Sequence, residues 1–366
     1  MSTDKQIIVI SAINLTEGGT LTILNECLAC ASTYLSEKYD IVALVHDEDM
    51  FAFPSIRYIS FPRSKKSWVL RTFYEYFYFK KVSRDLSPYL WLSLHDMTPN
   101  VDSTIQAVYC HNPSPFFNLS IHQAILNPKE ALFNTFYSYL YSINIHKNNY
   151  VIVQQNWLRK EFISRFSCKK VIVAYPKIEN AISGVATANS KFTFIYPAFP
   201  RVFKNFEVIC KAAEILEKRG VNEVEFILTI TGSENRYSKY VRDKNKSSLV
   251  KFIGLQERKV LYDLYESSDC LIFPSKLETW GLPLTEYKAS GKPILAADLP
   301  YAHETVGAYN KVRFFDPDDA SALAELIIEV IAGKVEYRMP VISLPSQPFV
   351  EEWSDLFKVL LQERGN

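Results

Sequence analysis

Short apolar runs alternate with segments whose apolar residues recur every three or four positions along nearly the whole chain. Residues 6–13 (QIIVISAI) read as a strand. Thr16-Glu17-Gly18-Gly19 then leads into a helix over 20–37, whose Leu21, Leu24, Leu28, Ala31 and Leu35 share one face. Further strands are expected at 39–46, 55–61, 89–94, 104–110, 149–154 and 170–175. The pattern lapses into a polar linker over 176–190 and restarts at 191 with KFTFIYPAF. A helix over 204–219, stopped by Gly220, precedes strands at 223–232, 248–255, 270–275, 293–298 and 311–316. A helix near 319–332, a stretch punctuated by Pro340, Pro345 and Pro348, and an amphipathic helix at about 350–363 complete the series.

Strands separated by helices specify parallel sheets covered on both faces. Two such series predict an α/β protein of two Rossmann-like domains facing a central cleft, one over 1–180 and one over 181–345, with the last segment, 346–366, returning to the first. A chain of 366 residues exceeds the usual single-domain size, and 48% apolar residues suffice for two cores. Ligands of open α/β sheets bind beyond the carboxyl ends of the strands, so the loops there are where chemistry is expected.

Charge adds an exclusion. With 41 Lys and Arg against 40 Asp and Glu the net charge is +1, which gives no bulk attraction to nucleic acid. Cys27, Cys30, Cys110, Cys168, Cys210 and Cys270 form no disulfide framework; Cys27 and Cys30 make a C-x-x-C without a second pair, so reduced thiols are expected. MSTDKQIIVISAI lacks the basic and cleavage regions of a signal peptide, and no apolar run approaches the roughly 20 residues of a spanning helix. A cytoplasmic protein is expected.

The richest chemistry lies in FPSKLETWGLPLTEYKASGKPILAAD, 273–298. A strand ends at Pro274-Ser275, a loop carries Glu278, Trp280 and Gly281, Pro283 suits the first turn of a helix, and Gly291 suits its stop. The free N–H groups near Gly281 and Leu282 favour an anion. Carboxylates accept hydrogen bonds from vicinal hydroxyls, so Glu278 and Glu286 suit sugar rings held over the helix start.

This segment resembles the donor-binding motif of retaining GT-B glycosyltransferases, family 4. The likeness covers most of the chain and is most specific over 191–305. It implies that Glu278 contacts the transferred sugar and Glu286 the nucleotide ribose. Thr279-Trp280-Gly281 stands where the family has Gly-Phe-Gly. YPAFPRVFKNFEVICKAAEIL, 196–216, resembles the family's diphosphate-binding element; Lys204 takes the Lys position, whereas the Arg position falls on Phe199, with Arg201 two residues later. Gly18 and Gly19 match the family's glycine loop, and His111 in AVYCHNPSPF the histidine near the donor's anomeric carbon. The resemblance thus assigns His111, Lys204 and Glu278 to catalysis. Gly18, Gly19, Arg201, Lys204, Gly281, Leu282 and Glu286 fall to donor binding. His95 and Asp96 in WLSLHDMTPN, with Asn112, are expected on the acceptor side. Retention by front-face substitution needs no cofactor and no metal.

The implied reaction is transfer from a nucleotide sugar to a glycan acceptor, polyprenyl-diphosphate-linked, in bacterial surface-polysaccharide (O-antigen-like) assembly. Two other readings stay open: a metal-dependent GT-A enzyme using Asp47 and Asp49 of Asp47-Glu48-Asp49, and a non-catalytic sugar-binding protein. RSKKSWVLRTFYEYFYFKK (63–81) and ALFNTFYSYLYSINIH (131–146) mix aromatic with basic or polar residues, suiting either a core helix or a peripheral contact with anionic membrane.

Overall fold

The computed structural model of the chain describes residues 5–176, 190–337 and 344–361. All but the ends of the expected linker lies outside them, as do residues 362–363 of the last helix. The chain divides into two compact units, one of residues 1–116, 135–177 and 345–366 and one of 117–134 and 178–344.

The first unit holds strands β1 (Gln6–Ala12), β2 (Tyr39–Val45), β3 (Ile56–Ser60), β4 (Leu90–Ser93), β5 (Ile105–Cys110), β6 (Tyr150–Val153) and β7 (Val171–Ala174). The second holds β8 (Phe192–Tyr196), β9 (Val224–Leu228), β10 (Val250–Phe252), β11 (Cys270–Phe273), β12 (Ile294–Ala297) and β13 (Val312–Phe315). A short β14 (Phe349–Val350) returns to the first sheet. The orders are β14-β7-β6-β5-β4-β1-β2-β3 and β10-β9-β8-β11-β12-β13, with every pairing parallel.

Period-two alternation splits the first core into two layers. Ile8, Ile10 and Ala12 face Leu24, Leu28 and Ala31 of the helix Gly18–Tyr34. Val9 and Ile13 join Val42, Leu44, Trp91 and Phe79 in a separate cluster. The helix Trp353–Leu361 adds Leu356, Phe357 and Leu360 to the first of these. β14 differs from the sequence reading, in which a helix already begins at about 350. The free edge of β7 takes Phe349 and Val350 as a strand, and the Arg159 guanidinium holds the Ser346 carbonyl (2.6 Å) and that of Pro348. Pairing across that sequence distance has no local signature.

Residues 117–134 group with the second unit because their rings pack there: Phe117 against Phe203 at 5.9 Å and His122 against Tyr240 at 5.2 Å. In the stretch 63–81, the helix Trp68–Phe73 passes through a π-helical turn (Tyr74–Tyr78) into the helix Phe79–Leu86. Phe79, Glu75 and Arg71 are buried. On the opposite face Val69, Phe73 and Phe77 are 78%, 50% and 69% exposed. The stretch is thus neither wholly core nor wholly surface.

Candidate functional site

In the second sheet β8 and β11 are neighbours, while the chain winds outward through β9 and β10 on one side and β12 and β13 on the other. Loops leaving β8 and β11 therefore diverge and open a crevice, the position where such sheets bind ligands. Arg201 and Lys204 follow β8; Glu278, Gly281, Leu282 and Glu286 follow β11.

Lys204 Nζ meets Glu278 Oε1 at 2.5 Å, with the two side chains only 16% and 13% exposed. Local structure aims the lysine. A 3₁₀ turn, Val202–Lys204, ends at Asn205 in the left-handed region (φ 56°), and Tyr196 Oη donates to the Lys204 carbonyl at 2.8 Å. Buried Asn205 donates to the carbonyls of Pro274 (3.3 Å) and Pro317 (2.7 Å), tying this turn to the end of β11. Arg201 is exposed beside the Phe203 ring, 5.9 Å from its centroid, with Lys204 Nζ at 5.6 Å. Two cations thus flank one ring, and no carboxylate among the described residues pairs with Arg201.

Gly281 caps the helix Leu282–Lys288 at φ 82°, a conformation that favours glycine; a Cβ there would lie 3.3 Å from Leu284 Cδ1 and 3.4 Å from Phe273 Cε1. Trp280 donates its indole N–H to Thr285 Oγ1 at 2.9 Å. Glu286 does not join the lysine. It accepts from Tyr265 Oη at 3.2 Å and lies 3.7 Å from Arg258 Nη2. Burial raises its pKa, opposed by Arg258 and the hydroxyls of Tyr265 and Tyr262. Tyr265 and Arg258 went unnoticed in the sequence because nothing in their own helix, Arg258–Ser267, marks them.

The loop after β9 was also missed. Glu234 accepts the N–H groups of Thr231 (2.5 Å), Gly232 (3.0 Å) and Ser233 (3.1 Å). Burial opposes its ionisation, yet the backbone N–H groups of Thr231 and of Glu234 itself, with the hydroxyls of Thr231 and Ser238, bring the carboxyl down to about 2. Gly232, followed two residues on by Glu234 at the end of an apolar run, is the signal that was available; in the fold the glycine takes φ 83°.

In the first sheet the winding reverses between β1 and β4. Gly18 (φ 63°) and Gly19 follow β1, exposed at the helix start, where Lys65 Nζ reaches Thr16 Oγ1 at 2.6 Å and Glu17 at 3.3 Å. His95 and Asp96 follow β4, and His111 and Asn112 follow β5. The structure brings three of these four together. Asp96 Oδ1 accepts the N–H of His111 (2.5 Å) and of Asn112 (3.0 Å). The His111 ring stacks on Tyr109 (centroids 4.4 Å, 17°), and its Nε2 lies 3.0 Å from the Leu94 carbonyl. Burial lowers its pKa, opposed by Asp96 and that carbonyl.

His95 departs from the acceptor-side expectation. Its ring is fully buried, with Nε2 3.1 Å from Glu75 Oε1 and 3.2 Å from Ser11 Oγ. Burial, with help from Arg71, holds its pKa well below the usual range, while burial pushes Glu75 up to about 8 against the pull of Arg71. The π-helical turn is what swings Glu75 inward. Asp47, of the metal-dependent alternative, caps its own turn by accepting Asp49 N–H at 3.1 Å. Among the described residues no three His, Cys, Asp or Glu side chains group as a metal site, and no helix is long and apolar enough to cross a membrane.

Two all-parallel Rossmann-like sheets of this kind match GT-B glycosyltransferase structures, and residues 178–342, in the second unit, match the family model Glycosyl transferases group 1. Among solved structures, the sucrose-phosphate synthase of Thermosynechococcus elongatus superposes with a TM-score of 0.64 at 16% identity, over 90% of each chain. The UDP-N-acetylglucosamine–peptide N-acetylglucosaminyltransferase GtfA subunit of Streptococcus parasanguinis is 24% identical over 267 residues, 66% of this chain and 52% of that one. The O-antigen chain mannosyltransferase RfbU of Salmonella typhimurium is 32% identical over 76 residues, 21% of this chain and 20% of that one. The chain thus spans about half the length, or less, of the curated relatives it matches.

Proposed function

We propose that the protein is a retaining, metal-independent family 4 glycosyltransferase that acts at the cytoplasmic side of a membrane and moves a sugar from a nucleotide-sugar donor to a glycan acceptor. The observation that carries this reading is the Lys204–Glu278 pair, formed between loops on the two sides of the β8/β11 reversal inside a glycosyl transferases group 1 domain.

In the proposed reaction the bond from the anomeric carbon to the diphosphate oxygen breaks, and the acceptor oxygen bonds to the same face. Its proton passes to the departing diphosphate, so no enzyme nucleophile is required. Lys204 and Arg201 neutralise charge growing on the diphosphate, where positioned cations act most strongly. Glu278 accepts from hydroxyls of the transferred sugar and Glu286 from the ribose, while backbone N–H groups at Gly18, Gly19, Gly281 and Leu282 approach the donor. His111 acts near the anomeric carbon, and Asn112 on the acceptor side.

A UDP-sugar is the first donor to test, given the donor named in the GtfA relative. An O-antigen-like polysaccharide acceptor, proposed here to be lipid-linked, draws its support from the name of RfbU, and a peptide acceptor is the comparison arm drawn from GtfA. Contact with an anionic membrane is proposed through Val69, Phe73 and Phe77, flanked by exposed Arg63, Lys66 and Lys81. Phe73→Ser/Phe77→Ser should abolish flotation with anionic vesicles if this is right; equal flotation of variant and wild type removes it.

The decisive experiment screens UDP-, GDP- and dTDP-sugars for thermal stabilisation and donor turnover, with and without EDTA. One donor should stabilise and turn over, insensitive to EDTA, and both effects should vanish in Lys204→Ala and Glu286→Ala. Binding without turnover would leave a sugar-binding protein, and loss of turnover in EDTA would restore the metal-dependent alternative.

A further inference from the structure

Asp96 is more than a neighbour of His111. Its backbone sits in the left-handed region (φ 71°), and its N–H donates to the Tyr109 carbonyl at 3.2 Å, which folds the loop after β4 back over the end of β5. Its carboxylate then collects four donors from two other parts of the first unit. Oδ1 accepts the backbone N–H groups of His111 and Asn112 and lies 2.9 Å from Tyr141 Oη; Oδ2 accepts from Tyr137 Oη at 3.0 Å. A carboxylate only accepts, about two donors to each oxygen, so the two backbone N–H groups fill Oδ1, and Tyr141 Oη divides its one proton between that oxygen and the Asn112 carbonyl at 3.0 Å. Asparagine would keep one acceptor oxygen but lose the negative charge that the two backbone N–H groups face, its NH₂ meeting the Tyr137 hydroxyl instead.

Downstream of this clamp is the imidazole. A carbonyl oxygen only accepts, so His111 Nε2, 3.0 Å from Leu94, carries the proton, and the neutral ring keeps its lone pair on Nδ1. The ring can meet both the Leu94 carbonyl and the Tyr109 face only while the backbone at 111–112 stays where Asp96 holds it. We infer that Asp96 is a positioning residue, whose carboxylate clamps the His111–Asn112 backbone and thereby sets the orientation and single tautomer of the His111 ring. The Asp96 carboxylate therefore serves the enzyme's own loop rather than the acceptor. This inference rests on the reading of His111 as catalytic.

The test separates the two. In ligand-free protein labelled with ¹⁵N-histidine, His111, assigned by its loss in His111→Gln, should appear as one neutral tautomer protonated at Nε2. In Asp96→Asn, and more weakly in Tyr141→Phe, which removes a single donor, the signal should move toward a mixture of tautomers. With the donor identified by the screen above, kcat should fall about 10²-fold in Asp96→Asn, the scale of a small misplacement of a reacting group, while the donor KM stays within about twofold. Asp102→Asn, an exposed ion-pair residue, should change neither readout. An unaltered His111 signal in both variants overturns the clamp, as does a KM change at wild-type kcat. If Asp96→Asn does not fold, Tyr141→Phe decides by the same two readouts. A wild-type enzyme that transfers nothing would sink the functional reading while the ligand-free spectra still judged the clamp.

Discussion

Lys204 and Glu278, 74 positions apart in the chain, meet at 2.5 Å because the strands before them, β8 and β11, lie side by side. Both are mostly withdrawn from water, so each compensates a charge that would otherwise be costly to bury. The pair fixes the two groups proposed above to grip a donor against each other before any ligand arrives.

Breaking it from either side should therefore already incur much of the cost of removing both partners. Lys204→Met and Glu278→Gln should each lower stability by about 1–3 kcal/mol, the cost of leaving a buried polar partner unsatisfied. The double variant should cost less than the sum of the two. Urea unfolding of the four proteins measures this, and strict additivity would contradict it. Transfer activity should fall about 10²-fold or more in each single variant.

Glu286 predicts a trade of stability against function. Its folded-state pKa lies above the ordinary 4.5 because burial disfavours the carboxylate. The folded state thus binds the proton more tightly than the unfolded state does. The contribution of Glu286 to stability is greatest below about 4.5 and declines as pH rises through the folded-state value. Glu286→Gln removes that decline. It should match wild type in Tm at pH 4, exceed it at pH 8, and lose donor turnover. A lower Tm at pH 8 would refute this account.

Glu75 makes a similar point in the first unit, without the functional cost. Its carboxyl, buried against His95, titrates at about 8, so wild-type stability should fall as pH rises from about 4.5 toward 8. Glu75→Gln keeps a neutral hydrogen-bonding group in the same space and should flatten that slope in urea titrations between pH 6 and 9. A variant slope as steep as the wild-type one would assign the decline to other groups.

The helix Trp353–Leu361 is part of the first core rather than an appendage. Phe357 is fully buried among Leu24, Leu28 and their neighbours. Phe357→Ala should cost about 3–5 kcal/mol, the usual toll of emptying a large aromatic site, read as a shift of the urea midpoint. A shift below about 1 kcal/mol would mean that the surrounding residues collapse into the space.

Elements with a local signature were legible in advance. Short continuous apolar runs marked thirteen strands within a few residues of where they lie, because a parallel sheet covered on both faces buries successive positions of each strand. Lys204, Glu278 and Gly281 stood out as candidates too, the last two by their place between a strand end and a helix start and Lys204 by the family resemblance. What the chain order alone left undecided was partnership. Which loops meet depends on sheet order, and sheet order depends on the global packing of helices. So the meeting of Lys204 with Glu278, and the separate company Glu286 keeps with Tyr265 and Arg258, were settled only by the fold. The same holds for His95, whose strand-end position looked like a ligand-facing one until a π-helical turn brought Glu75 against it. It holds again for Asp96, where β4 beside β5 and one left-handed residue turn a carboxylate back onto its own protein. Sequence determines the alphabet of elements through short-range periodicity; long-range contacts, which carry no period, decide which charged groups become neighbours.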